Sequence, residues 1–214
     1  MKVMHIITAL NFGGAEAMLA KLVGQQKAAF RASEAVVVSL MTPGTVGRQM
    51  AADGVLVESL DLRNIWQLPA ALRRLSSMVR RHDPDLLQGW MYHGNIAATV
   101  AAALSSRSTQ LLWNIRHSLH DPRVEKRSSQ AVIRLGGLLS RQPFAIIYNS
   151  ATAVRQHGAY GYDARRAVVI PNGFDHDKFS PDSPHRWTKA MLCGRFGIDP
   201  AAILLAVVAR YHPM

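Results

Sequence analysis

Gly13 and Gly14 separate an apolar run (Val3, Met4, Ile6 and Ile7, with His5 inside it) from a segment in which Ala15, Met18, Leu19, Leu22 and Val23 share one helical face. Two residues without a Cβ let a ligand come close to the backbone. The helix behind them offers unpaired N–H groups and the positive end of its dipole. That chemistry suits a phosphate, although the same glycines would also serve a plain turn. Two histidines follow strand-like runs further on, His93 in Met91-Tyr92-His93-Gly94-Asn95 and His117 in Arg116-His117-Ser118. An imidazole can bond a ligand or move a proton near neutral pH. Tyr92, Asn95, Arg116 and Ser118 are the polar loop residues around them.

The elements that must hold these residues alternate along the chain. Strands are predicted over Val3–Ile7, Ala35–Leu40, Val55–Leu60, Asp85–Trp90, Leu111–Arg116, Phe144–Tyr148 and Val168–Ile170. Helices are predicted to start at Ala15 and to cover Val46–Ala52, Leu68–His82, Ile96–Leu104, Glu125–Arg141 and Ala151–Ala159, with Asn149 and Ser150 as capping residues of the last. Such alternation predicts an α/β fold, a Rossmann-like parallel sheet with helices on both faces. In that fold the glycine turn and both histidine loops fall at the carboxyl edge, where ligands bind. His5, inside a strand, reads as a packed core residue.

Composition narrows the function. An apolar content of 49% is ample for a core, and no apolar run approaches the roughly 18 residues of a membrane span. With Cys193 as the only cysteine, neither an intrachain disulfide nor a cysteine metal site is available. The chain reads as cytoplasmic. G-x-G-x-x-G is absent, and the second strand runs into Met41-Thr42-Pro43 in place of a ribose-binding carboxylate, which argues against NAD. The net charge is +11, and residues 66–141 hold eleven Lys/Arg against four Asp/Glu. Such a field attracts polyanions, anionic lipid and phosphorylated small molecules alike.

From Asp175 the chain turns polar and proline-containing, so a boundary is expected there. The division is 1–175 for the first domain, 176–187 for a linker, and 188–214 for the start of a second domain. In that last piece Thr188–Phe196 is a predicted helix and Ile203–Ala209 a predicted strand.

The blocks NFGGAE, PDLLQGWMYHGN, NIRHS, IYNS, IPNGFDHDKFSP and LLAVVARYHPM, in this order, resemble the family 4 retaining glycosyltransferases. The resemblance covers essentially the whole chain. It implies the N-terminal half of a GT-B fold, an acceptor-side domain, with the donor-binding domain only begun. It further implies a nucleotide sugar as donor substrate, no cofactor, and a polysaccharide, lipid-linked or other glycan as acceptor. By the same resemblance Asn172, Gly173 and Arg210 join Gly13 and Gly14 as phosphate- or donor-binding residues, while His93 and His117 stand nearest the transfer. Many members have a histidine nearer the end of strand four, where this chain has Gln88 and Trp90.

No metal site is expected. Asp83-Pro84-Asp85 precedes its strand, at the wrong edge, and Asp175-His176-Asp177 lies in the crossover. Arg127, Arg134 and Arg141 recur at sevens beside Ala131, Val132, Leu135, Leu138 and Leu139, so helix 125–141 offers peripheral contact with the inner face of a membrane as well as a core role. The alternative function is a non-catalytic anion or nucleic-acid binding module using the basic middle segment. Against it, only Trp66, Trp90, Tyr92 and Trp113 interleave that segment, and specific nucleic-acid binding is not expected.

Overall fold

The computed structural model describes residues 1–30, 32–120, 126–176, 180 and 186–207. The chain divides into two compact units, Met1–Asn172 and Gly173–Met214.

The first unit is built on seven parallel strands, β1 (Lys2–Ile7), β2 (Glu34–Ser39), β3 (Leu56–Ser59), β4 (Leu86–Trp90), β5 (Gln110–Ile115), β6 (Ala145–Tyr148) and β7 (Ala167–Val169), in the order β3-β2-β1-β4-β5-β6-β7. The helices are α1 (Gly14–Ala29), α2 (Gly44–Ala52), α3 (Leu68–His82), α4 (Met91–Leu104), α5 (Arg127–Leu139) and α6 (Ala151–Ala159). This is the expected Rossmann-like α/β architecture. Right-handed crossovers place helices on opposite faces according to the direction in which the chain crosses the sheet. One core cluster accordingly joins Ile7, Val37 and Trp90 to Leu19 and Val23 of α1 and Met50 of α2. The other joins Met4, Ile6, Leu87, Trp113 and Ile146 to Leu75 of α3, Ala98 of α4 and Ile133 of α5.

Two glycines set how closely α4 lies on the sheet. A Cβ at Gly94 would stand 2.5 Å from the Ile6 carbonyl oxygen, and one at Gly89 would stand 2.5 Å from Asn95 Cα. Backbone meets backbone at both places, so no side chain can yield. Asn95 uses the closeness to accept a hydrogen bond from the Asn114 N–H of β5 (3.3 Å). Thr99 continues the link, donating to Asn95 O (2.9 Å) and accepting from Trp113 Nε1 (3.1 Å).

His5 behaves as a core residue, with Trp90 Nε1 donating to its Nδ1 at 3.4 Å. His157 of α6 is equally buried, bonded to Tyr92 Oη (2.9 Å) and to Ala153 O (2.8 Å), and ringed by Tyr148 and Tyr162. Burial pushes both imidazoles down to about 4. Among the arginines of α3, Arg74 donates to Leu60 O and Ser59 O, and Arg81 pairs with Glu58. Asp83 and Asp85 both pair with Arg107 at the amino edge of the sheet, which gives these two carboxylates a structural task.

Helix α5 departs from its predicted pattern. It buries Ile133, Gly136 and Gly137, whereas Leu135 and Leu138 of the expected apolar arc face solvent beside Arg134. The glycines decide this: Tyr162 Oη sits over Gly136, and the Tyr160 carbonyl lies 2.8 Å from where a Gly137 Cβ would be. In the second unit, α7 (Lys189–Phe196) is capped by Thr188, whose Oγ1 accepts from Met191 N (3.3 Å), and ends at Gly197 with φ +64°. The strand expected over Ile203–Ala209 is not formed in its described part, 203–207. Those residues have no ladder partner there, and Ile203, Leu205 and Val207 are about nine-tenths exposed.

Two measurements check this account. Gly94→Ala should lower the unfolding free energy by roughly 1–3 kcal/mol in urea titration, the cost of forcing backbone apart in a packed core. Stability should also fall with acid. Because His5 and His157 titrate near 4 when folded and near the ordinary value of 6.5 when unfolded, their contribution is complete above the unfolded value and is lost as pH falls from 6.5 toward 4. The loss should reach ~3 kcal/mol for each, and His157→Gln should remove its share of the slope.

Candidate functional site

The strand order reverses between β1 and β4, and an open parallel sheet binds its ligands outside the carboxyl ends at such a switch point. The segments after β1 and β4 therefore flank the candidate site, and those after β5, β6 and β7 extend it.

After β1, Gly13 is the N-cap of α1 and Gly14 its first residue. Gly13 is extended (φ −170°) and neither glycine has a positive φ, so the turn does not need glycine for its backbone angles. The two differ in access. A Cβ at Gly13 would collide with the Glu16 carboxylate, which occupies the first turn of α1, whereas a Cβ at Gly14 would meet nothing within 4 Å. The open approach to the helix start is over Gly14.

After β4 the expected loop is absent. Trp90 ends the strand and Met91 begins α4, with Met91 at φ +61° taking the whole change of direction. Such an angle is uncommon for a non-glycine residue and marks a tightly determined position. Three residues expected on a loop thus lie in the first turns of a helix. His93 is exposed there, and the surrounding protein lowers its pKa by desolvation. Tyr92 and Asn95 are buried, Tyr92 bonded to His157 and Asn95 to β5, because their helical positions turn them inward. This corrects their assignment to acceptor-side loops.

After β5, Arg116 gathers the neighbouring segments. Its N–H donates to Met91 Sδ (3.4 Å), and its guanidinium lies 5.9 Å from the Trp90 ring centroid. Nη1 donates to Ile170 O (2.8 Å) and Asn172 Oδ1 (3.2 Å), tying the segment after β7 to the end of β5. Partial burial lowers the Arg116 pKa, though a guanidinium stays charged. His117 is half-buried, its ring edge-on to Tyr92 with centroids 6.3 Å apart, and Ser118 is exposed. Gly173 is exposed. Arg210 and Asp177 lie outside the described residues.

Among the described residues six buried side-chain polar atoms lack a partner, and apart from His5 Nε2 and Gln156 Oε1 they lie here. Asn95 Nδ2, Asn114 Oδ1, Arg116 Nε and Asn149 Oδ1 are buried with no hydrogen-bond partner among the described residues. Each sits at or near the carboxyl ends of β4, β5 and β6. A buried unpaired polar atom costs ~1–3 kcal/mol, and such atoms cluster where a fold gives up stability for another purpose. Asn114, Asn149 and Met91 were not singled out for such a role from the sequence. A polar residue within the apolar run Leu111–Ile115 is a signal that could have found Asn114, but nothing local foretells the left-handed Met91.

The chain matches the family model described as a glycosyl transferase 4-like domain over residues 13–173, from the glycine turn to the end of the segment held by Arg116. No curated protein matches it. Among solved structures it is similar to Alr3699/HepE from Anabaena in complex with UDP-glucose (TM-score 0.71, 20% identity, 92% of this chain and 50% of that one). It is also similar to a glycosyltransferase from Rickettsia africae (0.67, 12%, 92% and 50%) and to the apo lipopolysaccharide outer core galactosyltransferase WaaB (0.65, 14%, 86% and 50%). The chain thus spans about half the length of these structures. With three quarters of its residues inside the match, running through every segment of the carboxyl edge, this chain belongs to the glycosyl transferase 4-like domain family.

Proposed function

We propose that this chain is the acceptor-side domain of a retaining glycosyltransferase. It would position a glycan, polysaccharide or lipid-linked acceptor for transfer from a nucleotide-activated sugar. The observation that carries this reading is the carboxyl edge itself: an open helix start at Gly14, His93 across the switch point in the first turn of α4, and unpaired polar atoms on the adjoining strands. The solved complexes of HepE with UDP and UDP-glucose support a uridine nucleotide sugar as the donor.

Transfer of a glycosyl group breaks the bond between the sugar's anomeric carbon and the diphosphate and forms one to the oxygen of an acceptor hydroxyl, whose proton goes to the departing diphosphate. In this reading the α1 N–H groups over Gly14 stabilise the charge that develops on the departing diphosphate. Asn172 and Gly173 line the donor side, with Asn172 fixed by Arg116, and Arg210 contributes to donor binding. His93 holds the acceptor hydroxyl or the transferred sugar. Desolvation lowers its pKa and so favours the neutral ring, which can accept a hydrogen bond from a hydroxyl. His117 supports that position from the next strand. Proximity supplies most of the acceleration, since no carboxylate pair of the glycosidase kind is required.

The test uses the full-length protein that contains this chain, with UDP-sugars and glycan acceptors. Gly14→Val introduces a side chain into open space at a backbone angle that valine tolerates, so the fold should survive by circular dichroism while transfer falls steeply. Unchanged transfer would overturn the assignment of the diphosphate to this turn. His93→Ala should lower kcat/KM by about tenfold or more, at least ~1.4 kcal/mol of barrier. Residues 1–214 alone should bind UDP-sugar weakly and transfer none.

A further inference from the structure

Arg116 carries a charge that its structural tasks do not require. Nη1 commits its N–H groups to the Ile170 carbonyl (2.8 Å) and to Asn172 Oδ1 (3.2 Å). Both acceptors are neutral, and a neutral amide N–H would serve them. A guanidinium in this position is instead partly stripped of water, and a desolvated charge is costly unless an opposite charge faces it. None does so here. Arg116 forms no ion pair among the described residues, and the residues it touches, Trp90, Met91, Ile170 and Asn172, are all uncharged. Arginines that tie other parts of the fold face carboxylates, Arg107 those of Asp83 and Asp85 and Arg165 that of Asp163. The pKa directions agree, since carboxylates raise those of Arg107 and Arg165 whereas desolvation lowers that of Arg116.

Donors remain for a ligand. Nε is buried without a partner, and Nη2 makes no hydrogen bond among the described residues yet is not closed off from solvent. A planar cation with unused N–H groups matches a carboxylate or a phosphate in charge and in geometry. The described residues that follow β4, β5, β6 and β7 (90–95, 116–120, 149–154 and 170–172) include no Asp or Glu to repel such a group. The donor diphosphate belongs elsewhere in the proposed reading, at Gly14. In the order β1-β4-β5 the strand that carries Arg116 lies two spacings from β1, about 10 Å, and the bonds from Nη1 draw the guanidinium toward the segment after β7, away from that turn.

We infer that Arg116 receives an oxyanion of the acceptor, a phosphate or a carboxylate, so that the acceptor is an anionic saccharide and not a neutral one. That the bound molecule is an acceptor rests on the proposed transferase reading, whereas the oxyanion site rests on Arg116 and its surroundings. The guanidinium selects which saccharide is held and takes no part in breaking or forming the glycosidic bond.

Two experiments separate the site from the reading. In NMR titrations of the 214-residue chain, inorganic phosphate and glucuronate should shift the backbone amides around Arg116, glucose should not, and the tighter of the two anions identifies the group. Arg116→Gln should weaken that binding by about tenfold or more with an unchanged circular dichroism spectrum, and Arg116→Lys, which keeps the charge, should retain a preference for the anions over glucose. In the full-length protein, with one UDP-sugar as common donor, a saccharide bearing the anion should exceed its neutral counterpart in kcat/KM by about tenfold or more. Arg116→Gln should bring that ratio near unity, while Asn172→Ala should leave it unchanged because a donor-side effect cancels from it. No anion binding by the parent chain, binding that survives Arg116→Gln, or equal use of the two acceptors by the parent enzyme would overturn the inference. An equal loss with both acceptors in Arg116→Gln would also overturn it and assign the cation to the donor diphosphate. Anion binding at Arg116 in a full-length protein that transfers no sugar would uphold the site and overturn the transferase reading.

Discussion

The near-contact between α4 and the two central strands governs the arrangement of this domain. Gly94 lets the helix rest on the carbonyl of Ile6, and Gly89 lets Asn95 reach through to β5. The helix can then begin at the last residue of β4 without a connecting loop, provided one residue turns through an unfavourable angle, and Met91 does so. The position of His93, the inward direction of Tyr92 and the bond to His157 all follow from that single approach.

Arg116 plays the complementary part at the other side of the site. A long cation at the end of β5 replaces water as the donor to the Ile170 carbonyl and the Asn172 side chain. Its backbone meanwhile rests on the Met91 sulfur. The segments after β4, β5 and β7 thereby share one residue. Three short stretches, far apart in sequence, are held as one surface by hydrogen bonds and a partly desolvated charge.

Much of this was legible beforehand. Periodicity located every strand of the sheet to within about two residues, and α3 and α6 to their ends, because alternating apolar runs and helical faces are properties of local sequence. The glycine turn was legible for the same reason. The start of α4 was not, since Met91-Tyr92-His93-Gly94-Asn95 lacks a capping residue and reads as a loop. Only the tertiary fit of Gly89 and Gly94 makes it helical. The exposed leucines of α5 were misread because small residues buried against Tyr160 and Tyr162 outweigh larger ones in setting which side packs. The strand expected at 203–209 had the right composition, but a strand exists only by pairing, and no partner is present for 203–207 among the described residues.

The loopless junction of β4 and α4 bears on how such a domain can diversify. A residue inserted between Trp90 and Met91 would rotate the helix by about 100° and carry both Gly94 and Asn95 off the sheet. Length variation is therefore closed to this border of the crevice. Only exchanges of side chain at positions such as His93 remain, while the connections after β2, β3 and β5 keep the freedom to grow or shrink. Under the proposed function, new acceptor preferences would arise by point substitution on one bank and by remodelling of chain length on the other.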